Sequence, residues 1–229
     1  GRLDVAQWLL QIKPKFDITT YNYYIFRQTC INGHLEVAKW LYQLHTDIYG
    51  TGQIYPMNSS ITVTHLNYAF QDTCINGHFE VAKWIYSLKP GVTFTDHTFM
   101  KVCEYGRLNV AQWLYQLNPK TDISICNEWA FRCACNRGHL DVAQWLLTIK
   151  PTIKISALYE FAFRGSCAHG HLHVAKWLLN VKPTINITAQ NSEAFRICCK
   201  EQKLELVEWL QSLKPYLYAV SYTHLTLPT

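Results

Sequence analysis

The sequence predicts an all-α protein built from helix–turn–helix repeats that stack into a solenoid. Three observations lead to this prediction. A tryptophan-centred motif recurs along the chain, mostly at intervals of 32 residues; a phenylalanine and a cysteine four residues apart precede six of its copies; and proline follows most copies at a fixed offset. A repeat of this size cannot bury its apolar faces alone, so neighbouring repeats are expected to share one continuous core.

The tryptophan motif predicts the second helix of each repeat. In the copy GHLEVAKWL, which begins at Gly33, apolar residues recur with a period near 3.6, and the clearly polar positions are Glu36, Lys39 and Gln43. This pattern is typical of a helix with a wide apolar face. We therefore expect the tryptophans of the motif to lie in the repeat core: Trp8, Trp40, Trp84, Trp113, Trp145, Trp177 and Trp209.

The phenylalanine–cysteine pairs predict the first helix, because side chains four residues apart share one helical face. A glycine three residues after most of the cysteines suits the left-handed residue that ends a helix, and the later proline ends the second helix. The core pairs expected from this spacing are Phe26 and Cys30, Phe70 and Cys74, Phe99 and Cys103, Phe131 and Cys135, Phe163 and Cys167, and Phe195 and Cys199.

The segments that link successive repeats, such as KTDISICNE and TINITAQNS, are rich in β-branched and turn residues. They predict extended connectors that lead into the next first helix. We expect a repeat array over residues 1–215, with an incomplete first repeat and six further repeats. The tail, residues 216–229, lies outside the pattern, and its segment SYTHLTLPT looks like a translated sequencing adapter.

The motif GHLEVAKWL resembles the second helix of the ankyrin repeat, which typically begins G-H-L-E-V-V and recurs about every 33 residues. The resemblance extends from Gly1 to about Pro215. It implies an ankyrin-like solenoid with short extended fingers, whose first helices line a concave face that binds a protein. Two departures are the segments WAFR and FAFR, which replace the T-P-L-H start, and K-P-T-I, which replaces the G-A-D finger. The tryptophan-rich form is similar to ankyrin arrays of giant DNA viruses of amoebae, which would imply a viral protein that acts in the host cytoplasm.

Composition and motifs argue against several other classes. The +5 formal charge comes from scattered Lys and Arg without a basic run, and no apolar stretch approaches the length of a membrane span. The chain contains no glycine-rich phosphate loop, nucleophile elbow or H-E-x-x-H segment. We therefore expect a monomeric, intracellular and cytoplasmic protein without catalytic residues, metal or cofactor, which acts as a non-catalytic scaffold for another protein.

Two features are candidates for the partner-binding site. The first is a column of arginines on the first helices, which could bind an acidic partner: Arg27, Arg132, Arg164 and Arg196. The alternative for the last three is an ion pair with a Glu residue three or four positions earlier. The second is an insertion, residues 49–60, whose Tyr49, Tyr55 and Met57 could contact a partner. The alternative is an insertion that the fold merely tolerates.

The cysteines and histidines support an alternative function in metal or redox chemistry. Six cysteines occupy the repeated core position and are expected to be reduced thiols, whereas Cys126, Cys133 and Cys198 fall outside the register and are expected to be exposed. The cluster of His169, His171 and His173 could supply metal ligands, but residues two apart on a helix point to different sides. Nucleic-acid binding through the arginines and stacked aromatic rings is a third alternative.

Overall fold

The computed structural model describes residues 2–12, 22–49, 63–89 and 91–215. These residues form helices joined by turns, without a strand among them, which confirms the prediction of an all-α protein. The helices are α1 Leu3–Ile12, α2 Asn22–Ile31, α3 Leu35–Tyr49, α4 Val63–Asn76, α5 Phe79–Leu88, α6 Asp96–Glu104, α7 Leu108–Leu117, α8 Ile125–Asn136, α9 Leu140–Ile149, α10 Ala157–Ala168, α11 Leu172–Val181, α12 Ala189–Lys200 and α13 Leu204–Leu213.

The chain divides into two compact units. Unit 1 comprises Gly1–Val102 and Arg107–Thr121, and unit 2 comprises Cys103–Gly106 and Asp122–Thr229. In unit 1, α2 packs against α3 and α4, and α4 packs against α5. In unit 2, the first helices α8, α10 and α12 lie side by side, and each also packs against its own second helix, α9, α11 or α13.

The core of each unit combines aromatic and thiol groups from first helices with small and branched residues from second helices. In unit 2, Phe131 and Cys135 have no exposed surface, and Phe163 and Cys167 are equally buried. The second helices contribute one alanine and one leucine each at the facing positions. These residues are Ala143, Leu146, Ala175 and Leu178.

The tryptophans of the motif lie at the edge of this core rather than at its centre. Trp177 is half-buried, and its indole ring lies 6.2 Å from the ring of Phe131, on the first helix of the preceding repeat. Trp209 packs against Phe163 at the same separation. In contrast, Trp8 is 56% exposed. The motif position therefore contributes to packing between repeats, with the indoles of Trp177 and Trp209 against core phenylalanines.

The turn between the paired helices has the geometry expected from its glycine. Gly138 has φ +83°, and its N–H donates to the carbonyl of Cys135 while the N–H of His139 donates to Ala134. These two bonds use the carbonyls of Cys135 and Ala134 in the last turn of α8, as in a Schellman motif. A side chain would be strained at this φ, so glycine fits the position.

The connectors correct one expectation, that of short extended fingers. In unit 2 they are successive tight turns, in which the N–H of Ile153 donates to Lys150 and the N–H of Ala157 donates to Lys154. The connector also inserts Ile153 into the core, where it is 6% exposed. The β-branched Ile153 therefore packs in the core instead of in a strand. The backbone hydrogen bonds of the connector are made within its own turns, so it needs no partner strand.

Candidate functional site

Three first helices of unit 2 begin with an unusual backbone feature. Residues 126–128, 158–160 and 190–192 all have φ between 54° and 62° and positive ψ, so each group forms a left-handed turn. Residues with side chains rarely adopt this conformation in succession, since it costs about 1 to 2 kcal/mol per residue. We call the surface formed by these three segments the turn face.

Arg132 supports the first of these turns. Its Nε donates to the carbonyl of Asn127 at 2.6 Å, and its Nη2 donates to the carbonyl of Cys126 at 2.9 Å. The guanidinium also lies 4.9 Å from the ring of Phe161 on the next first helix. The pKa of Arg132 is lowered, because the effect of burial outweighs the opposing effects of Cys133, Cys126 and Glu128. The side chain therefore stabilises the turn.

Arg164 repeats this arrangement in the second turn. It donates from Nε to the carbonyl of Tyr159 at 2.7 Å and from Nη2 to that of Leu158 at 3.2 Å. Its other terminal nitrogen pairs with Glu193 on the neighbouring helix α12. The expected ion pair with Glu160 along the same helix is thus replaced by carbonyl contacts and a pair between helices, because the left-handed turn interrupts the regular helical register.

The arginines of the column differ in their exposure and in their partners. Arg132 is only 3% exposed, which favours the structural alternative at this position, while contact of the column with an acidic partner stays a prediction. In unit 1, Arg27 pairs with Asp72 on the next first helix, at 2.6 Å from Nε. In unit 2, Arg196 is exposed. The column mainly holds neighbouring first helices together.

Two buried carboxylates anchor the connectors to the turns. Glu128 is 4% exposed; its Oε1 accepts a bond from the backbone N–H of Lys154 at 3.3 Å, and its Oε2 accepts one from the Ser124 hydroxyl at 2.7 Å. Lys150 in turn donates its ammonium to Ser124. At the equivalent position in the next repeat, Glu160 accepts the N–H of Asn186 at 3.3 Å.

The sequence contains a repeated pattern at these positions, although a regular helix fits the same spacing. Ser124, Glu128 and Arg132 recur as Ser156, Glu160 and Arg164 with the same spacing of four. In a regular helix this spacing would place all three on one exposed face. The left-handed turn instead directs the carboxylate toward the following connector and the guanidinium toward the turn carbonyls.

The turns present different side chains on a common backbone. The two exposed positions carry Cys126 and Asn127 in the first turn, Leu158 and Tyr159 in the second, and Gln190 and Asn191 in the third. Tyr159 is 72% exposed and Leu158 44%, which is unusual for adjacent large side chains. We call these three exposed pairs the turn tips; they were not identified from the sequence.

Two clefts accompany the turns at equivalent places. The larger, of about 570 Å³, lies between the second and third turns and is lined by Ser156, Leu158, Tyr159, Glu160, Asn186, Ala189 and Gln190. The smaller, of about 390 Å³, is lined by Ser124, Asn127, Glu128, Lys150, Thr152, Lys154 and Ala157. Each cleft thus has a buried carboxylate in its wall.

The histidine cluster does not have the geometry of a metal site. The rings of His169 and His171 are stacked at 6.4 Å, and that of His173 lies edge-on to His171 at 6.2 Å. His169 and His173 direct ring nitrogens at the carbonyls of Gly165 and Gly138. In the described part of the chain, no group of three or more His, Cys, Asp or Glu side chains is arranged to hold a metal ion.

The cysteines differ from expectation at three positions, Cys133, Cys198 and Cys199. Cys126 is exposed as expected, but Cys133 and Cys198 are buried, and all nine cysteines are free thiols. Cys198 occupies the buried position that Ser166 holds in the preceding repeat, whereas Cys199, at the repeated core position, is only partly buried. Burial raises the pKa of Cys30 to about 12 and that of Cys198 to about 11, which keeps these thiols protonated.

The insertion lies largely outside the described residues. Tyr49 is the last residue of α3, whereas Tyr55 and Met57 fall outside the described ranges, as does the tail, residues 216–229. Among the helices that the structure describes, none has both the length and the apolar character needed to span a membrane. No family model matches the chain, and no curated protein is similar to it in sequence.

Proposed function

We propose that the chain is an ankyrin-like helical-repeat scaffold that binds a protein partner through its turn face and carries out no catalysis. The observation that carries the proposal is the contrast between constant and variable positions in unit 2. The supporting residues Ser, Glu and Arg recur in the first two turns, whereas the exposed pairs differ in all three turns. A fixed backbone with variable tips is suited to specific recognition of another protein.

The chemistry of the tips favours a protein as the ligand. Tyr159 supplies a large amphipathic ring, and Leu158 beside it supplies apolar contact area. Exposed aromatic residues of this kind often dominate the energy of protein interfaces. The turn that presents them is held by Arg164, which reduces the entropy lost on binding.

Packing within each unit supports the solenoid part of the proposal. In unit 2, equivalent first helices adjoin one another in sequence order, and tryptophans pack against phenylalanines of the preceding repeat. In unit 1, the pairs of Phe26 with Trp84 and Phe70 with Trp113 have similar separations, 6.1 Å and 5.8 Å. Repeated contacts between neighbours are what a solenoid requires.

Nucleic-acid binding is less well supported. Phosphate contact needs accessible basic groups and base stacking needs exposed rings, but Arg132 and Arg164 are occupied by carbonyls and the tryptophans pack against phenylalanines. A monomeric protein in the cytoplasm, including that of a virus-infected host, remains part of the proposal.

The proposal can be tested with a variant that transplants one turn tip onto another. Replacing Leu158→Gln and Tyr159→Asn gives the second turn the exposed pair of the third, and Asn is compatible with a left-handed backbone. The variant and the parent chain would serve as baits in eukaryotic cell lysates, with captured proteins quantified by mass spectrometry. We expect a protein that the parent captures and the variant does not.

A matched control removes exposed apolar surface elsewhere in unit 2. Val181 and Leu204 are 42% and 68% exposed and lie in second helices. A bait with Val181→Ser and Leu204→Ser should retain the same partner. Loss of the partner with this control, or its retention with the turn variant, would contradict binding through the turn face.

A further inference from the structure

We propose that the cleft beside Glu160 binds a basic side chain, lysine or arginine, of the protein partner. This inference rests on the proposed function and adds the chemistry of the contact. The cleft lies between the second and third turns, within unit 2, and Tyr159 and Leu158 form part of its rim.

The side chain of Glu160 has an unsatisfied carboxylate oxygen. Glu160 is 8% exposed and lines the cleft; its Oε1 accepts the N–H of Asn186, but its Oε2 is buried without a hydrogen-bond partner among the described residues. A buried carboxylate oxygen without a donor is energetically costly, since it has lost its water and gained nothing in exchange. It therefore favours a donor from outside the chain.

The equivalent Glu128 in the preceding repeat has its carboxylate satisfied within the chain. Both oxygens of Glu128 accept hydrogen bonds, and its cleft is lined by Lys150 and Lys154 from the same chain. In the Glu160 cleft the position of Lys154 is taken by Asn186, and Lys182, the counterpart of Lys150, is not among the lining residues. The Glu160 cleft therefore keeps one neighbouring lysine, Lys182, whose ammonium donates to the Ser156 hydroxyl, but has an uncharged asparagine where the other cleft has Lys154.

The charges around Glu160 are arranged in a way that leaves its carboxylate available. Arg164 lies on the same helix but donates to the turn carbonyls and pairs with Glu193. The ammonium of Lys182 donates to the Ser156 hydroxyl at 2.5 Å. Neither cation donates a hydrogen bond to Oε2 of Glu160 in the described structure.

The remaining walls suit a long basic side chain. Leu158 and Ala189 offer apolar surface for its aliphatic stem, and the exposed ring of Tyr159 offers a face for a cation. Lysine and arginine commonly bury their stems in this way, and cations are attracted to aromatic faces. The cleft therefore matches the charge, shape and hydrogen-bonding capacity of such a side chain.

The test is a selection of random peptides, displayed on phage, against the full chain, Glu160→Gln and Glu128→Gln. The Glu160→Gln change keeps an oxygen for the Asn186 N–H but removes the charge, and Glu128→Gln removes an equivalent charge from the other cleft. We expect peptides selected by the parent to share a basic position and to bind Glu160→Gln at least about tenfold more weakly, with little change for Glu128→Gln. Thermal unfolding would verify that both variants remain folded.

Three outcomes would overturn the inference: no enriched peptide, enrichment without a basic position, or equal affinity for the parent and Glu160→Gln. Such outcomes leave the proposed function to be judged separately, because the lysate experiment depends on Leu158 and Tyr159 and not on the charge of Glu160. A charge exchange gives a second measurement. Glu160→Lys should favour peptides in which the basic position is changed to glutamate, and failure of this exchange would also count against the inference.

Discussion

The imidazole of His171 lies directly over Gly138, the glycine that ends the first helix of the preceding repeat. A Cβ atom at Gly138 would lie 2.6 Å from Nδ1 of His171. Glycine is therefore required at this position for two reasons. Its φ of +83° would strain any residue with a side chain, and the His171 ring leaves no space for a Cβ atom. Gly170 occupies the equivalent turn with φ +87°, but the nearest atom to its Cβ position is Cε of Lys203, at 3.6 Å.

This difference makes a prediction about two matched substitutions. Gly170→Ala should cost about 1 to 2 kcal/mol of unfolding free energy, from the left-handed backbone alone. Gly138→Ala should cost about 1 to 3 kcal/mol more, because the new methyl group displaces a packed ring. Urea denaturation of both variants measures the difference, and adding His171→Ala to Gly138→Ala should remove the excess. Equal losses for the two glycines would show that His171 imposes no constraint.

Much of the helical fold could be predicted because the repeated motif reports periodicity directly. The phenylalanine–cysteine pairs, the turn glycines and the alternation of two helices all follow from spacings of three, four and 32 residues. The left-handed turns could not be predicted in this way, since Glu128 and Glu160 are four residues before an arginine and fit a regular helix equally well. Their conformation depends on contacts with the next connector, which local sequence does not specify.

The candidate site, like the fold, could be predicted from the sequence only in part. The sequence drew attention to Arg132 and Arg164, but their roles depend on which carbonyls lie nearby in three dimensions. Tyr159 and Leu158 were missed because apolar residues at the start of a predicted helix are normally interpreted as core. In the structure both residues lie in the left-handed turn at the start of α10, and both side chains are exposed.

The arginine of the first turn provides a second prediction. Arg132→Lys should lower the unfolding free energy by about 1 to 3 kcal/mol, because a single ammonium cannot reproduce the two parallel bonds to Cys126 and Asn127 or the contact with the Phe161 ring. Arg196→Lys, at the exposed equivalent position, should change it by less than about 0.5 kcal/mol. Denaturation curves compare the two. Similar small effects would mean that the turn does not depend on Arg132.

The packing of the motif tryptophans provides a third prediction. Trp177→Ala should destabilise unit 2 by about 2 to 4 kcal/mol, somewhat less than for a fully buried indole, because the ring is half-buried against Phe131. Trp8→Ala serves as the control, since Trp8 has the same place in the motif but is 56% exposed. Loss of stability below about 1 kcal/mol for Trp177→Ala would contradict its role in packing.

The histidine cluster leads to a prediction about pH. Burial lowers the pKa of His171 below its ordinary 6.5, and the neighbouring His169, His173, His139 and Lys203 act in the same direction. The folded state therefore binds fewer protons than the unfolded state as pH falls through about 6.5. Stability associated with neutral His171 is present above that pH and is lost as pH approaches the lower folded-state pKa.

The measurement is the unfolding free energy from urea denaturation between about pH 5.5 and 7.5, a range in which most carboxylates stay ionised. The parent chain should become less stable toward the acidic end, and His171→Gln should show a shallower dependence, since glutamine does not titrate. His97→Gln, at an exposed histidine in unit 1, should keep the slope of the parent. If His171→Gln and the parent lose stability in parallel, protonation of His171 does not contribute, and the pH dependence must arise from other groups.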